Sequence, residues 1–111
     1  MDITLNEHGG GVATLRLVGK LNVVAATTLR DYIAVAVAED QIWLTIDLTQ
    51  VDFLDSSGLG ALINGLKTAR LAGGDLRIFG PNEQVRLVLK LTNLNTLLIT
   101  VDSAEEAFTH G

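Results

Sequence analysis

Residues 47–62 read Asp47-Leu48-Thr49-Gln50-Val51-Asp52-Phe53-Leu54-Asp55-Ser56-Ser57-Gly58-Leu59-Gly60-Ala61-Leu62, and the hydrophobic pattern changes within this stretch in a way that decides the fold. Upstream, residues 42–48 are almost continuously apolar, which is typical of a strand buried on both faces of a sheet. Downstream, apolar side chains recur at helical spacing, at Leu59, Leu62, Ile63, Leu66 and Ala69. We therefore predict that a buried strand leads into an amphipathic helix at Asp55-Ser56-Ser57-Gly58.

The segments before this stretch predict a β-hairpin and a helix. Residues 3–5 and 12–18 alternate apolar and polar side chains, and Gly9-Gly10-Gly11 between them is typical of a hairpin connection. One apolar helical stripe follows, formed by Leu29, Tyr32, Ile33, Ala36 and Val37. Two strands and one helix are thus expected ahead of the buried strand.

The segments after it predict a continued alternation of helix and strand. Gly73-Gly74 is expected to end the second helix, and residues 76–79 are expected to form the next strand. A third helix is predicted from Val85 onward, and a short strand at residues 97–101. Ser103-Ala104-Glu105-Glu106 has the form of a capping box and predicts a terminal helix.

This order of elements predicts the fold class. Two strands followed by alternating helices and strands indicate an α/β sandwich, in which helices pack on a mixed sheet. Strand–helix–strand steps place their strands parallel, so the sheet should be mostly parallel, with about four α-helices on it. The 111 residues fit a single domain, residues 1–111.

Composition excludes several classes of function. The sequence contains no cysteine and no cluster of histidines and carboxylates that is typical of a metal site. We therefore expect no metal and no cofactor. The net charge is −5 and the basic residues are scattered, which argues against nucleic-acid binding. No apolar run reaches the roughly 20 residues that span a bilayer, and the N-terminus does not resemble a signal peptide. We therefore expect no membrane insertion and a cytoplasmic location.

The segment Asp55-Ser56-Ser57-Gly58 carries the most informative chemistry. It lies where a strand ends and a helix begins, the edge at which open α/β sheets tend to bind ligands and partners. Asp55 or Ser56 is expected to cap the helix, and Ser57 to lie in or near its first turn. The helix N-terminus favours anions, so a phosphate on Ser57 would be tolerated there. From these residues alone, simple capping and a phosphorylation switch both remain open.

Two glycines and two basic residues complete the expected surface. Gly58 and Gly60 carry no side chain, and we expect them to let another surface approach the backbone closely. Lys67 and Arg70 are expected either to form an ordinary solvated face of the same helix or to flank its docking surface.

At these residues the sequence closely resembles the STAS-domain family, in particular the bacterial anti-sigma-factor antagonists. The resemblance lies in residues 47–62, with further matches at Gly19-Lys20-Leu21, Ala72-Gly73-Gly74 and residues 82–91. The order and spacing of the elements agree over essentially the whole chain. The Asp-Ser-Ser-Gly-Leu-Gly signature after an Asp-Leu strand end is specific.

The resemblance implies a phosphorylation-gated partner switch. In the family the second serine of the pair is the phosphoacceptor, which corresponds to Ser57. The unphosphorylated protein is expected to bind an anti-sigma factor that is also a serine kinase, and so to release a sigma factor. Phosphorylation ends that complex, and a PP2C-type serine phosphatase restores the free serine. Ser56 is expected to line the same surface, and Asp55 to hold the serine loop.

One position departs from the family pattern. Asn22 stands where the family usually has Asp, which removes a charge at the expected partner edge. Asn22 is either part of the partner surface or simply the cap of the first helix. An alternative function therefore stays open, that of a STAS docking subunit in a lipid-transport or stress-signalling assembly without a phosphorylation switch.

Catalysis is not expected, and we assign no catalytic residue. The nucleophile elbow Gly-x-Ser-x-Gly and the phosphate-binding loop Gly-x-x-x-x-Gly-Lys are both absent. The two histidines, His8 and His110, lie near opposite ends of the chain and are expected to be exposed. Neither is expected to activate Ser56 or Ser57.

Overall fold

A computed structural model describes residues 1–103 and 108, and its centre is a five-stranded sheet. The strands lie in sequence order, β1-β2-β3-β4-β5. Their bounds are Asp2–Gly9 for β1, Val12–Leu21 for β2, Trp43–Leu54 for β3, Asp75–Phe79 for β4 and Thr100–Val101 for β5.

The sheet is mixed and mostly parallel. β1 and β2 pair antiparallel, whereas β2 with β3, β3 with β4 and β4 with β5 pair parallel. The hairpin between β1 and β2 turns through Gly9, Gly10 and Gly11, all with positive φ, which explains the three glycines. The predicted fold class is thereby confirmed.

Three α-helices occur in the described part of the chain: α1 Val23–Ala38, α2 Ser56–Leu71 and α3 Glu83–Leu91. A side-chain oxygen caps each of them, from Asn22, Asp55 and Asn82. As predicted, Gly73-Gly74 ends α2. The N–H of Gly74 donates to the Ala69 oxygen (2.9 Å) and that of Gly73 to the Arg70 oxygen (3.0 Å), while Gly73 has φ +95°.

The core lies between the helices and the sheet. Fully buried leucines and isoleucines of β2, β3 and β4 meet the inward faces of α1 and α2, for example at Leu15, Ile46, Leu76 and Ile33. At Gly65 in α2 an added Cβ would crowd Ile33 and Leu76. This glycine therefore lets α2 approach α1 and β4 closely, which sets the position of α2 on the sheet.

The end of the chain differs from the prediction. A strand was expected at residues 97–101, but β5 contains only Thr100 and Val101. Asn93 is left-handed (φ 63°) and ends α3, and a 3-10 turn at Leu94–Thr96 then brings Leu98 into the core. The predicted terminal helix at residues 103–106 falls largely outside the described residues. No helix in the described part is long and apolar enough to cross a membrane.

Candidate functional site

The ends of β2 and β3 bring the predicted site residues together. Leu21 and Leu54 are paired in register as the last residues of these two parallel strands. Asn22 and Asp55 follow directly, and each caps the helix that starts there. The N-termini of α1 and α2 therefore lie side by side at the carboxyl edge of the sheet.

Asp55 is the cap of α2. Its Oδ1 accepts a hydrogen bond from the Gly58 N–H at 2.9 Å, and its main-chain oxygen accepts from Leu59 N–H at 2.9 Å. Its own N–H donates to the Leu21 oxygen at 3.4 Å, which ties the cap to β2. Of the two candidate caps, the structure selects Asp55 and leaves Ser56 and Ser57 as the first two helical residues.

The two serines differ in exposure. Ser56 is exposed and Ser57 is half-buried. Neither hydroxyl makes a side-chain hydrogen bond within the described residues, so both are available to a ligand or partner. As the first two residues of a helix, they also have main-chain N–H groups without an intrahelical acceptor. Such N–H groups and the helix dipole favour a negatively charged group at this position.

The interpretation of Gly58 as a docking position is wrong, because Gly58 is buried. A Cβ there would overlap the Leu21 carbonyl oxygen and crowd the Leu21 and Leu54 side chains. The close approach that this glycine permits is therefore made by its own domain. Gly60 is different. It is half-buried, and the nearest atom to an added Cβ would be Nη2 of Arg30, at 3.4 Å.

Asn22 caps α1, which is one of the two roles expected for it. Its Oδ1 accepts from the Ala25 N–H at 3.2 Å. The next two residues, Val23 and Val24, are 62% and 74% exposed, so the first turn of α1 presents apolar surface beside the start of α2. Sequence reasoning missed these valines, because a helix start gives no indication of which side chains face solvent.

A groove of about 420 Å³ runs along the outer side of α2, beside Ser56. Among the described residues no carboxylate lines it, and its lining includes Arg30, Gly60, Asn64 and Lys67 together with the apolar Leu59, Ile63 and Leu94. Neither cation forms an ion pair within the part of the chain that the structure describes. In a protein of net charge −5, this groove is locally positive. Arg70 is exposed, as expected of a solvated face, and its Nε lies 3.2 Å from Asp75 Oδ1.

Two polar side chains near the start of α3 hold the end of β3. Asn82 Nδ2 donates to the Val51 oxygen at 3.2 Å. Gln84 Nε2 donates to the Leu54 oxygen at 2.9 Å, and Gln84 Oε1 accepts from the Leu54 N–H at 3.0 Å. Sequence reasoning missed this contact because it joins residues 30 positions apart, and no local pattern signals it.

Among the described residues, neither a metal-ligand cluster nor a histidine lies at the site. Within residues 1–103 and 108, no group of three or more His, Cys, Asp or Glu side chains is arranged to hold a metal ion. His8 lies in β1 and hydrogen-bonds Thr14 Oγ1 at 2.8 Å, away from the serines. His110 lies outside the described residues.

The chain is similar in sequence to known proteins. The model of the STAS domain family matches residues 4–107. The chain is similar to the anti-sigma F factor antagonist of Paenibacillus polymyxa, with 28% identity over 93% of this chain and 89% of that protein.

Solved structures show the same fold. A crystal structure of an anti-sigma factor antagonist from Mycobacterium paratuberculosis superposes with a TM-score of 0.82 and 25% identity, over 96% of this chain and 89% of that one. The antagonist SpoIIAA in its unphosphorylated form gives a TM-score of 0.81 at 21% identity, over 94% and 91% of the two chains. The phosphorylated form of Bacillus SpoIIAA gives 0.73 at 20% identity, over 94% and 95%. At these last two identities the likeness is one of fold.

Proposed function

Because the chain belongs to the STAS domain family, we propose that it is an anti-sigma-factor antagonist switched by phosphorylation of Ser57. One observation carries the proposal: two serines whose hydroxyls have no hydrogen-bond partner among residues 1–103 and 108 occupy the first turn of α2, at the carboxyl edge of the sheet. The names of the relatives support it, since proteins similar over most of this chain are anti-sigma factor antagonists. The function is one of binding, with the chemistry supplied by partner enzymes.

The proposed modification is a phosphoryl transfer from ATP. A bond forms between Ser57 Oγ and the γ-phosphorus, the bond from that phosphorus to the β–γ bridging oxygen breaks, and ADP leaves. The hydroxyl proton passes to a base of the kinase. Free N–H groups at the helix start and the helix dipole favour the product. A structural neighbour exists in a phosphorylated form, which supports the compatibility of this fold with a phosphate.

Phosphate is proposed to end the complex by electrostatics and desolvation. It adds about −1.5 to −2 charges at pH 7, two residues from the Asp55 carboxylate. A partner that covers the serines must then strip water from this charge or place its own groups against it. A cost of about 1.4 kcal/mol already lowers affinity tenfold. Because Asp55 caps α2 from outside the helix, the domain itself can stay folded.

The proposed partner surface combines three features of the described residues. Ser56 and Ser57 lie at its centre, and the exposed Val23 and Val24 after Asn22 provide apolar area on one side. The groove with Arg30 and Lys67 lies along α2 and provides positive charge. The partner is an anti-sigma factor that is also a serine kinase, and a PP2C-type serine phosphatase removes the phosphate. The cycle is proposed to take place in the cytoplasm.

A second candidate function is supported by Asn22 alone. The amide caps α1 as well as a carboxylate would, but it adds no charge at the partner edge. A STAS docking subunit without a phosphorylation switch, in a lipid-transport or stress-signalling assembly, fits this change. Such a protein would bind its partner equally with or without a hydroxyl at Ser57.

The proposed function is tested by capture and modification. The Ser57→Ala variant, used as bait, should retain the partner, because it cannot be phosphorylated and released. The purified kinase and ATP should then add one phosphate to the wild-type peptide that contains residues 55–60, as measured by mass spectrometry. Ser56→Ala should be modified and Ser57→Ala should not. A captured kinase that modifies both variants equally would contradict the assignment of Ser57.

A further inference from the structure

Within the part of the chain that the structure describes, the second half of β3 has no strand neighbour on the side away from β2. β4 pairs with β3 only from Trp43 to Asp47, whereas β2 pairs with β3 as far as Leu54. From Thr49 to Leu54 the side away from β2 is lined by the connection from β4 to α3. Gly80, with φ +68°, passes so close to Thr49 that a Cβ would overlap its side chain.

Side chains from this connection and from the first turn of α3 take the place of the missing strand. Asn82 bonds the main chain of β3 at Val51, and Gln84 bonds it at Leu54. The Gln84 contact has the hydrogen-bond pattern of a strand partner, because one carboxamide both accepts from the N–H and donates to the C=O of the same residue. Leu54 is 1% exposed, so water does not compete readily for these groups.

The Gln84 contact orients the peptide that leads into the serine turn. The Leu54 oxygen, which Gln84 binds at 2.9 Å, belongs to the same peptide plane as the Asp55 N–H. The hydrogen bond of that N–H within the described residues is a long one, 3.4 Å to the Leu21 oxygen. Gln84 is thus the closer of the two restraints on the plane that precedes the cap. The cap in turn sets the direction of the first turn of α2, where Ser57 lies.

We infer that Gln84 is a positioning residue for phosphoryl transfer to Ser57, through its two hydrogen bonds to Leu54. This inference rests on the proposed function. Gln84 does not touch the reacting atoms. It holds the strand end so that the serine hydroxyl is presented in line with the γ-phosphate. Small displacements of an acceptor group are costly to transfer, so loss of the contact should lower kcat more than it raises KM.

The test compares variants of α3 in the phosphorylation assay. Gln84→Leu removes both hydrogen bonds at similar size, and Gln84→Asn retains the carboxamide but shortens its reach. Glu83→Leu is the matched control, because Glu83 is the exposed neighbour and makes no described contact with β3. Ile33→Val in the core provides a variant of reduced stability whose change lies away from the strand end. Phosphorylation assays with the kinase recovered on the Ser57→Ala bait give kcat and KM. Hydrogen exchange gives the exchange rates of the Leu54 and Asp55 amides.

Support for the inference requires three results together. Gln84→Leu and Gln84→Asn lower kcat by about tenfold with a smaller change in KM. In both Gln84 variants the Leu54 amide exchanges faster than in the wild type. The controls Glu83→Leu and Ile33→Val keep kcat within about twofold of the wild-type value. An unchanged kcat in the folded Gln84 variants overturns the inference but leaves the proposed function intact, and so does an equal loss in Ile33→Val. A wild-type protein that accepts no phosphate from the captured kinase overturns both.

Discussion

Gly58 packs against the carbonyl oxygen of Leu21, at a distance that leaves no room for a Cβ atom. This contact joins the first turn of α2 to the end of β2, so the serines on that turn are held next to the start of α1. The surface that a partner would meet is therefore built from two helix starts at a fixed separation. Val23, Val24 and Ser56 are exposed at this surface.

Gly58→Ala should destabilise the fold, because the new methyl group meets the main-chain oxygen of Leu21, which cannot move aside, and the side chains of Leu21 and Leu54. We expect a loss of about 1–3 kcal/mol in the free energy of unfolding, as for other overpacked sites. Gly60→Ala is the matched control on the same helix, since its methyl group would meet only the flexible end of Arg30. Alanine is the better helix former, so that variant should be neutral or stabilised by up to about 1 kcal/mol. Urea denaturation measures both, and equal losses would contradict the packing argument.

Ser57→Asp and Ser57→Ala should separate in their affinity for the anti-sigma factor. The aspartate adds a charge beside Asp55 at the proposed interface, and we expect binding to weaken about tenfold or more. The alanine should bind at least as well as the wild type. Isothermal titration calorimetry gives both constants. Equal affinity of the two Ser57 variants would exclude the electrostatic switch.

Arg30→Glu should weaken partner binding, because it replaces one of the two positive charges of the groove beside Ser56 with a negative one. The expected loss is about tenfold at low ionic strength and smaller at high salt, since exposed charges are screened. Lys90→Glu makes the same charge change at an exposed position of α3. We expect it to have little effect on partner binding. Association rates measured at two salt concentrations test this, and an identical response of the two variants would remove the groove from the interface.

Asn22→Asp should preserve the cap of α1 and add a negative charge at the proposed partner edge. Asp and Asn cap helices equally well, and the dipole of α1 favours a carboxylate at its N-terminus. The free energy of unfolding should therefore stay within about 1 kcal/mol of the wild-type value. Asn22→Ala, by contrast, should lose about 1 kcal/mol. Thermal melting measures these changes. If Asn22 lies in the interface, Asn22→Asp should also alter the affinity for the anti-sigma factor.

Thr45→Val should stabilise the protein. Thr45 lies in the middle of β3 and is 1% exposed, and its hydroxyl has no hydrogen-bond partner in the described residues. Valine has nearly the same shape without the buried hydroxyl, so we expect a gain of about 1 kcal/mol. Thr14→Val is the control, because Thr14 hydrogen-bonds His8 and should not gain in the same way. A destabilised Thr45→Val in thermal melting would show that the hydroxyl is satisfied.

The sequence alone determined the features that depend on neighbours along the chain. Alternation and helical spacing predicted the sheet and three helices, Gly9-Gly10-Gly11 predicted the hairpin, and Gly73-Gly74 predicted the end of α2. Asp55 was one of two candidate caps, because a cap bonds an N–H only three residues away. The order of elements then restricted the topology to a mixed, mostly parallel sheet.

Contacts between segments far apart in the chain determine what Asp55-Ser56-Ser57-Gly58 touches. Gly58 was expected to admit a partner, but the end of β2 occupies that space, as only the packing of two distant segments shows. The contact of Gln84 with Leu54 and the groove with Arg30 and Lys67 likewise join residues far apart in the chain. The last strand was overpredicted because Leu98 is needed in the core. Local propensity determines where elements begin and end, whereas burial and main-chain hydrogen bonding across the fold determine which surface of Asp55-Ser56-Ser57-Gly58 is left for a partner.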